Sequence, residues 1–265
     1  MARILFGEKY DWAAGIRATL DPARFACDFG PPAALQAEHD LFVPLCLRDY
    51  DGLRLNPEVL RRCLAPRAEV VALCQDKLAF NRFLIRAGLG RYVPRLLDAP
   101  LAAAPFVIKP RWGEWGLGVK VIPSSDAGLD AADRAQLAEG QAFLQTYAPG
   151  AREFALHVAA RDGVLIWSRL IAHEMGAESH MGQTRYVKGR DRQPLSSYAW
   201  DQDPGLGVFA EILARLGYEG TGCFDFKLGP EGPLIFEFNP RPGASIVTEV
   251  NSWIAVLLES VQAKP

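Results

Sequence analysis

Three oxygen-bearing side chains near the C-terminal end have the types and spacing of a metal site: Asp225 in Phe224-Asp225-Phe226, and Glu237 and Asn239 in Phe236-Glu237-Phe238-Asn239. Side chains alternate along a strand, so Glu237 and Asn239 leave one face while Phe236 and Phe238 leave the other for the core. Gly229-Pro230-Glu231-Gly232 joins the two segments as a hairpin turn, which carries Asp225 across from the pair. Two carboxylates and an amide oxygen gathered in this way suit a hard cation, Mg²⁺ carried by a nucleotide phosphate, or Mn²⁺ in its place. Taken singly, each is a solvated position of an amphipathic hairpin. The three together, followed at once by Pro240-Arg241-Pro242-Gly243, favour the metal.

Anion ligands lie upstream. Lys109 follows the apolar run Phe106-Val107-Ile108 and precedes Pro110, so it sits at a fixed strand end; Lys77 follows Asp76 at a helix start. Both are point charges suited to phosphate oxygens. In the turn from Arg111 to Gly118, the glycines at 113, 116 and 118 let backbone N–H groups approach an anion closely. Trp112 and Trp115 are bulky for such a flap and either close over a nucleotide or wall an acceptor site. Arg241 is placed to stabilise charge on a transferring phosphoryl group or to hold a substrate carboxylate. The polar stretch 174–204 adds Arg185, Lys188 and Arg190, with Arg169 before it, as further anion ligands; His173 and His180 are substrate contacts or ordinary polar residues. An anionic acceptor is expected between Arg241 and residues 174–193, because cations there converge from two directions.

The elements that must position these groups follow from patterning. Short apolar runs at Arg3–Phe6, Asp40–Leu45 and Val70–Leu73 read as buried parallel strands of a small α/β layer. Asn56-Pro57 starts a helix, and a second helix runs from Asp76 to about Ala87 with Gly88 ending it. Strands follow at 106–110, 119–122 and 143–148, then a hairpin of 153–160 with 165–172, a helix over 206–216, the hairpin of 223–228 with 233–238, and a closing helix over 245–261.

Composition excludes several classes. The 265 residues can bury a real core, and Lys+Arg 29 against Asp+Glu 31 leaves a net charge of -2. No basic excess is available for a nucleic-acid backbone or an anionic membrane, and no apolar run approaches a membrane span. Acid at Glu8 argues against a secretory or mitochondrial leader, so a cytoplasmic location is expected. Cys27, Cys46, Cys63, Cys74 and Cys223 form no C-x-x-C pair and read as buried thiols. His39, His157, His173 and His180 form no paired metal motif.

In the order Asp76-Lys77, Lys109-Pro110, the glycine turn into Val119, Pro149-Gly150 with Glu153, Asp225, and Glu237-Phe238-Asn239-Pro240-Arg241, the chain over about residues 70–262 resembles the ATP-grasp superfamily. The resemblance implies an α+β fold in which two α+β lobes clamp a nucleotide, preceded by a short α/β N-terminal domain. Its boundaries would be 1–74, then 75–148 as the nucleotide lobe with its flap, and 149–265 as the metal-binding and substrate lobe. It implies ATP as cosubstrate, with Lys77, Lys109, Gly116 and Gly118 on the phosphates, the backbone of Gln145, Thr146, Tyr147 and Ala148 reading adenine, and Glu153 on the ribose. Asp225, Glu237 and Asn239 become the metal ligands, Lys109 and Arg241 the catalytic cations, and Arg185, Lys188 and Arg241 the substrate ligands. The activity implied is an ATP-dependent ligase that activates a small-molecule or peptide carboxylate as an acylphosphate and joins it to an amine. A kinase on the same fold and a non-catalytic ATP-binding module are the alternatives. No nucleic-acid or membrane partner is expected; the N-terminal 70 residues are short for the family, so part of the acceptor pocket is either reduced or supplied by another subunit, the second of which would make a homodimer.

Overall fold

A computed structural model describes residues 1–53, 56–100, 105–114, 116–122, 128–150, 152–174, 192–194 and 207–263. The chain begins with β1 (Ala2–Phe6), α1 (Tyr10–Thr19), β2 (Phe25–Phe29) and β3 (Leu41–Val43), which give a parallel three-stranded sheet in the order β2-β1-β3. The strand at 25–29 was not anticipated, because Phe-Ala-Cys-Asp-Phe has neither alternation nor a continuous apolar run. Helices α2 (Leu47–Leu53), α3 (Pro57–Arg61), α4 (Ala68–Gln75) and α5 (Lys77–Leu84) follow. Asn56 caps α3, its side chain accepting from the Glu58 and Val59 amides as the Asn-Pro pair predicts.

Val70–Leu73 is helical, inside α4, rather than a strand. Four apolar residues in a row do not distinguish the two, and here Val70 and Cys74, one helical turn apart, face one core while Val71 faces another. Asp76 caps α5 by accepting from the Leu78 and Ala79 amides, each at 3.1 Å. The helix widens over Ile85–Leu89 and ends where Gly88 takes a φ of +80°.

A four-stranded antiparallel sheet of order β4-β7-β5-β6 follows, from β4 (Leu96–Leu97), β5 (Phe106–Pro110), β6 (Lys120–Ile122) and β7 (Ala142–Thr146), with α6 (Ala131–Ala138) across it. The last sheet is five-stranded, of order β10-β9-β8-β11-β12, built from β8 (Arg152–Arg161), β9 (Val164–Glu174), β10 (Arg192–Pro194), β11 (Gly220–Gly229) and β12 (Gly232–Asn239). Helix α7 (Gly207–Leu216) lies on it, and so do α4 and α5, sharing a core with Phe224, Phe226 and Phe238. The closing helix α8 (Val250–Gln262) buries Val250, Trp253, Ile254, Leu257 and Val261 against the first sheet, with Ile4, Phe6 and Leu41. Together with the turn before it, Ala244–Gln262 is long and apolar enough to cross a membrane by length and composition, a feature that scanning for uninterrupted apolar runs misses.

Candidate active site

The final hairpin pairs Asp225 with Glu237 and Cys223 with Asn239, so the three proposed metal ligands share one end of one face. Asn239 donates through Nδ2 to Asp225 Oδ2 and to Glu237 Oε1, both at 3.1 Å. They are half-buried rather than solvated. The alternation that places them breaks just below: Phe226 pairs with Ile235, leaving Phe236 as the extra residue of a β-bulge. Phe236 consequently turns to the cavity face, against the expectation that it joins Phe238 in the core, and Ile235 takes the core position. The bulge has a second effect. Its carbonyl leaves the ladder geometry and accepts from Lys109 Nζ at 3.0 Å and from Asn81 Nδ2 at 3.5 Å.

Lys77 and Lys109 converge on the same carboxylate from different elements, 3.4 and 3.8 Å from Glu237 Oε2. Burial pushes the Glu237 carboxyl up, but the Lys109 and Lys77 ammonium charges, with the hydrogen bond from Asn239, outweigh it and hold the group at about 2. The Lys109 ammonium is itself pushed down by burial, an effect Glu237 opposes and Lys77 reinforces. Lys77 is fixed at the start of α5, where Asp76 also pairs with Arg111 and the Lys77 amide donates to the Arg111 carbonyl. The root of the flap is thereby tied to the helix that carries the lysine.

These groups line one cavity of about 240 Å³. On it also lie Gly113, Gly116, Trp112 and Glu114 of the flap, Gln145, Thr146, Tyr147 and Ala148 at the end of β7, Glu153 on β8, and Arg241. Glu153 is 4% exposed, so it is no solvated strand end. The Gln145 side chain turns into the protein and donates to Asn81 Oδ1 and to the Pro94 carbonyl. Gly118 does not line the cavity. Its φ is +78°, and a Cβ there would stand 2.9 Å from Pro110 Cγ, so this glycine serves the turn and its close packing. The flap tip is held down twice: Lys77 Nζ donates to the Gly113 carbonyl at 2.5 Å, and Arg241 Nε donates to Glu114 Oε1 at 3.0 Å.

Sequence reasoning missed Trp12, Lys227, Phe236 and Ser245, all of which line the cavity. Trp12, from α1, is the contribution of the N-terminal region to the lining among the described residues; Gly7 abuts the buried Asp49 carboxylate, which fills the space of a Cβ. Only long-range packing brings these residues in, although the Asp225/Lys227 spacing of two would have flagged the lysine. His173 is buried on the cavity, opposite Glu153 in the β8–β9 pairing. Arg169 pairs with Glu249 away from it. Trp115, His180, Arg185, Lys188 and Arg190 lie outside the described residues.

The donor set fits a cation shared with phosphate once the Asn239 amide turns its oxygen, in place of Nδ2, toward the two carboxylates; two carboxylates and that oxygen leave coordination positions for phosphate oxygens and water. Among the described residues no cluster of three His, Cys, Asp or Glu that could hold a metal ion is present, here or elsewhere, so a cation at this site depends on the phosphate for part of its coordination.

No family model matches the chain, and no curated protein matches it. Solved structures do. A D-alanine–D-alanine ligase from Bacillus anthracis, complexed with ATP, aligns over 98% of this chain and 97% of its own at 14% identity, with a TM-score of 0.61. D-cycloserine synthetase aligns over 99% of both chains at 18% identity and a TM-score of 0.59. Phosphoribosylamine–glycine ligase from Thermotoga maritima aligns over all of this chain and 76% of its own at 14% identity and 0.65. Helices packed on antiparallel sheets around a lysine- and carboxylate-lined cleft, matched from end to end by such structures, establish that the chain has the ATP-grasp fold.

Proposed function

We propose that the chain is an ATP-dependent ligase that activates a carboxylate as an acylphosphate and joins it to an amine. The observation that carries this reading is the convergence of Lys77 and Lys109 on Glu237, beside Asp225 and Asn239, in one cavity of an ATP-grasp fold. Lys77, Lys109 and the amides of Gly113 and Gly116 hold the phosphates, Tyr147–Ala148 the adenine, and Glu153 the ribose hydroxyls. Asp225, Glu237 and Asn239 hold Mg²⁺, which neutralises phosphate charge when bound. The substrate carboxylate attacks the γ-phosphorus and ADP leaves; the amine then attacks the acyl carbon, phosphate leaves, and the nitrogen gives up a proton. Arg241 holds the incoming carboxylate and meets the charge that develops on the transferring group, and Arg185 and Lys188 are the further acceptor ligands. The flap excludes water from the acylphosphate, whose hydrolysis would waste the nucleotide. Residues 1–74 supply one wall through Trp12, and residues 75–148 and 149–265 close on the nucleotide from either side.

The test is phosphate release from ATP over a panel of carboxylate and amine pairs, with products identified by mass spectrometry. An amide with ADP and phosphate is expected. A stable phosphorylated product would make the protein a kinase instead, and nucleotide binding without turnover for any pair would make it a binding module.

A further inference from the structure

Four cations line the cavity among the described residues, and phosphate chemistry employs three of them, Lys77, Lys109 and Arg241. The fourth, Lys227, is 4% exposed and makes its contacts with the segment after β7. Its Nζ donates to the Gly150 carbonyl at 2.9 Å and to the Ala148 carbonyl at 3.3 Å, and stands 5.7 Å from the centre of the Tyr147 ring. In the β11–β8 pairing Phe226 faces Phe154, so the next rung brings Lys227 beside Glu153, whose charge counters the downward push that burial gives the ammonium. A buried ammonium is costly unless its protons are satisfied, and this one is met by two carbonyls and a ring face. The carbonyls belong to the link between β7 and β8, which joins the four-stranded sheet to the five-stranded one. Gly150 has a φ of +123° there, so its own backbone does little to fix the link.

The geometry points to Lys227 as the positioning residue for nucleoside recognition: from β11 it fixes the backbone at Ala148–Gly150 and the neighbouring Glu153, and so holds the base and ribose subsites in one arrangement. This rests on the nucleotide reading above and adds to it a division of labour. Lys77 and Lys109 serve the triphosphate; Lys227 serves the nucleoside through the backbone that it holds.

Two probes separate these ends: ADP, which has a nucleoside, and inorganic tripolyphosphate, which has none. Their binding to the full chain is measured by titration calorimetry with Mg²⁺ present. Lys227→Met is expected to weaken ADP at least tenfold while tripolyphosphate stays within twofold of wild type, and Lys227→Arg to restore most of the ADP affinity. Lys109→Met should weaken both probes. If Lys227→Met does not fold, Lys227→Gln, which can reach only one of the two carbonyls, should show the same split. Unchanged ADP affinity in a folded variant, or equal loss of both probes, overturns the inference and leaves the nucleotide reading standing. A wild-type protein that binds neither probe removes both.

Discussion

Replacing Glu237 by Gln keeps its shape and removes the charge on which Lys77 and Lys109 converge. The depression of its carboxyl from an ordinary 4.5 to about 2 corresponds to about 3 kcal/mol favouring the charged form in the folded protein. The side chain is only 18% exposed, so solvent screening removes little of this. Because the folded-state value is lowered, the stabilisation is fully present above 4.5 and disappears as pH falls through about 2. The variant, which imitates the protonated acid, should therefore unfold about 3 kcal/mol more easily at pH 7, lowering Tm by roughly 5–10 °C. The gap to wild type should shrink to about half by pH 3. Urea unfolding of both proteins at pH 7, 5 and 3 measures it. A gap below about 1 kcal/mol at pH 7, or one that stays constant down to pH 3, would refute the coupling of this carboxylate to the two lysines.

Lys109→Met should lower kcat and raise the apparent KM for ATP in a steady-state assay, since the lysine acts on ground-state and developing phosphate charge alike; unchanged ATP kinetics would return it to a structural role. Arg241→Ala removes both the contact to Glu114 and the cation beside the metal ligands, so acceptor-dependent turnover should fall by at least a hundredfold while calorimetric ATP affinity changes little. Gly222→Ala would place a Cβ 2.3 Å from Phe238 Cζ, inside a ring that stacks on Phe224 at 4.1 Å; overpacking should cost about 1–3 kcal/mol by urea unfolding. Asp76→Ala loses the cap of α5 together with the Arg111 pairing, and should cost roughly 1–2 kcal/mol and loosen the flap root, seen as faster amide exchange at the start of α5.

The parts of the site legible in the sequence are those fixed by short-range rules. Alternation put Glu237 and Asn239 on one face, the turn put Asp225 opposite, and Pro110 after an apolar run marked the strand end at Lys109. Phe236 escaped because a bulge is a two-strand event: nothing within Phe236-Glu237-Phe238 announces that the partner strand lacks a residue. Val70–Leu73 escaped because a short buried run is compatible with either period until tertiary packing decides, and α4 is buried on two sides. Trp12 reaches the cavity from far outside the motif-bearing region, and Lys227, although its spacing from Asp225 puts it on the same strand face, takes its role from the Ala148 and Gly150 carbonyls, which only the fold brings to it.

Conversion of a carboxylate into an acylphosphate in the cavity can be intercepted directly. Hydroxylamine intercepts such an intermediate as a hydroxamate without the natural amine, so the chain is incubated with ATP, Mg²⁺, hydroxylamine and a panel of carboxylates, and hydroxamate and ADP are quantified together. Hydroxamate and ADP are expected in equal amounts with at least one carboxylate, and neither with Glu237→Gln. ADP formation without hydroxamate for every carboxylate, or hydroxamate formed equally by Glu237→Gln, would contradict it.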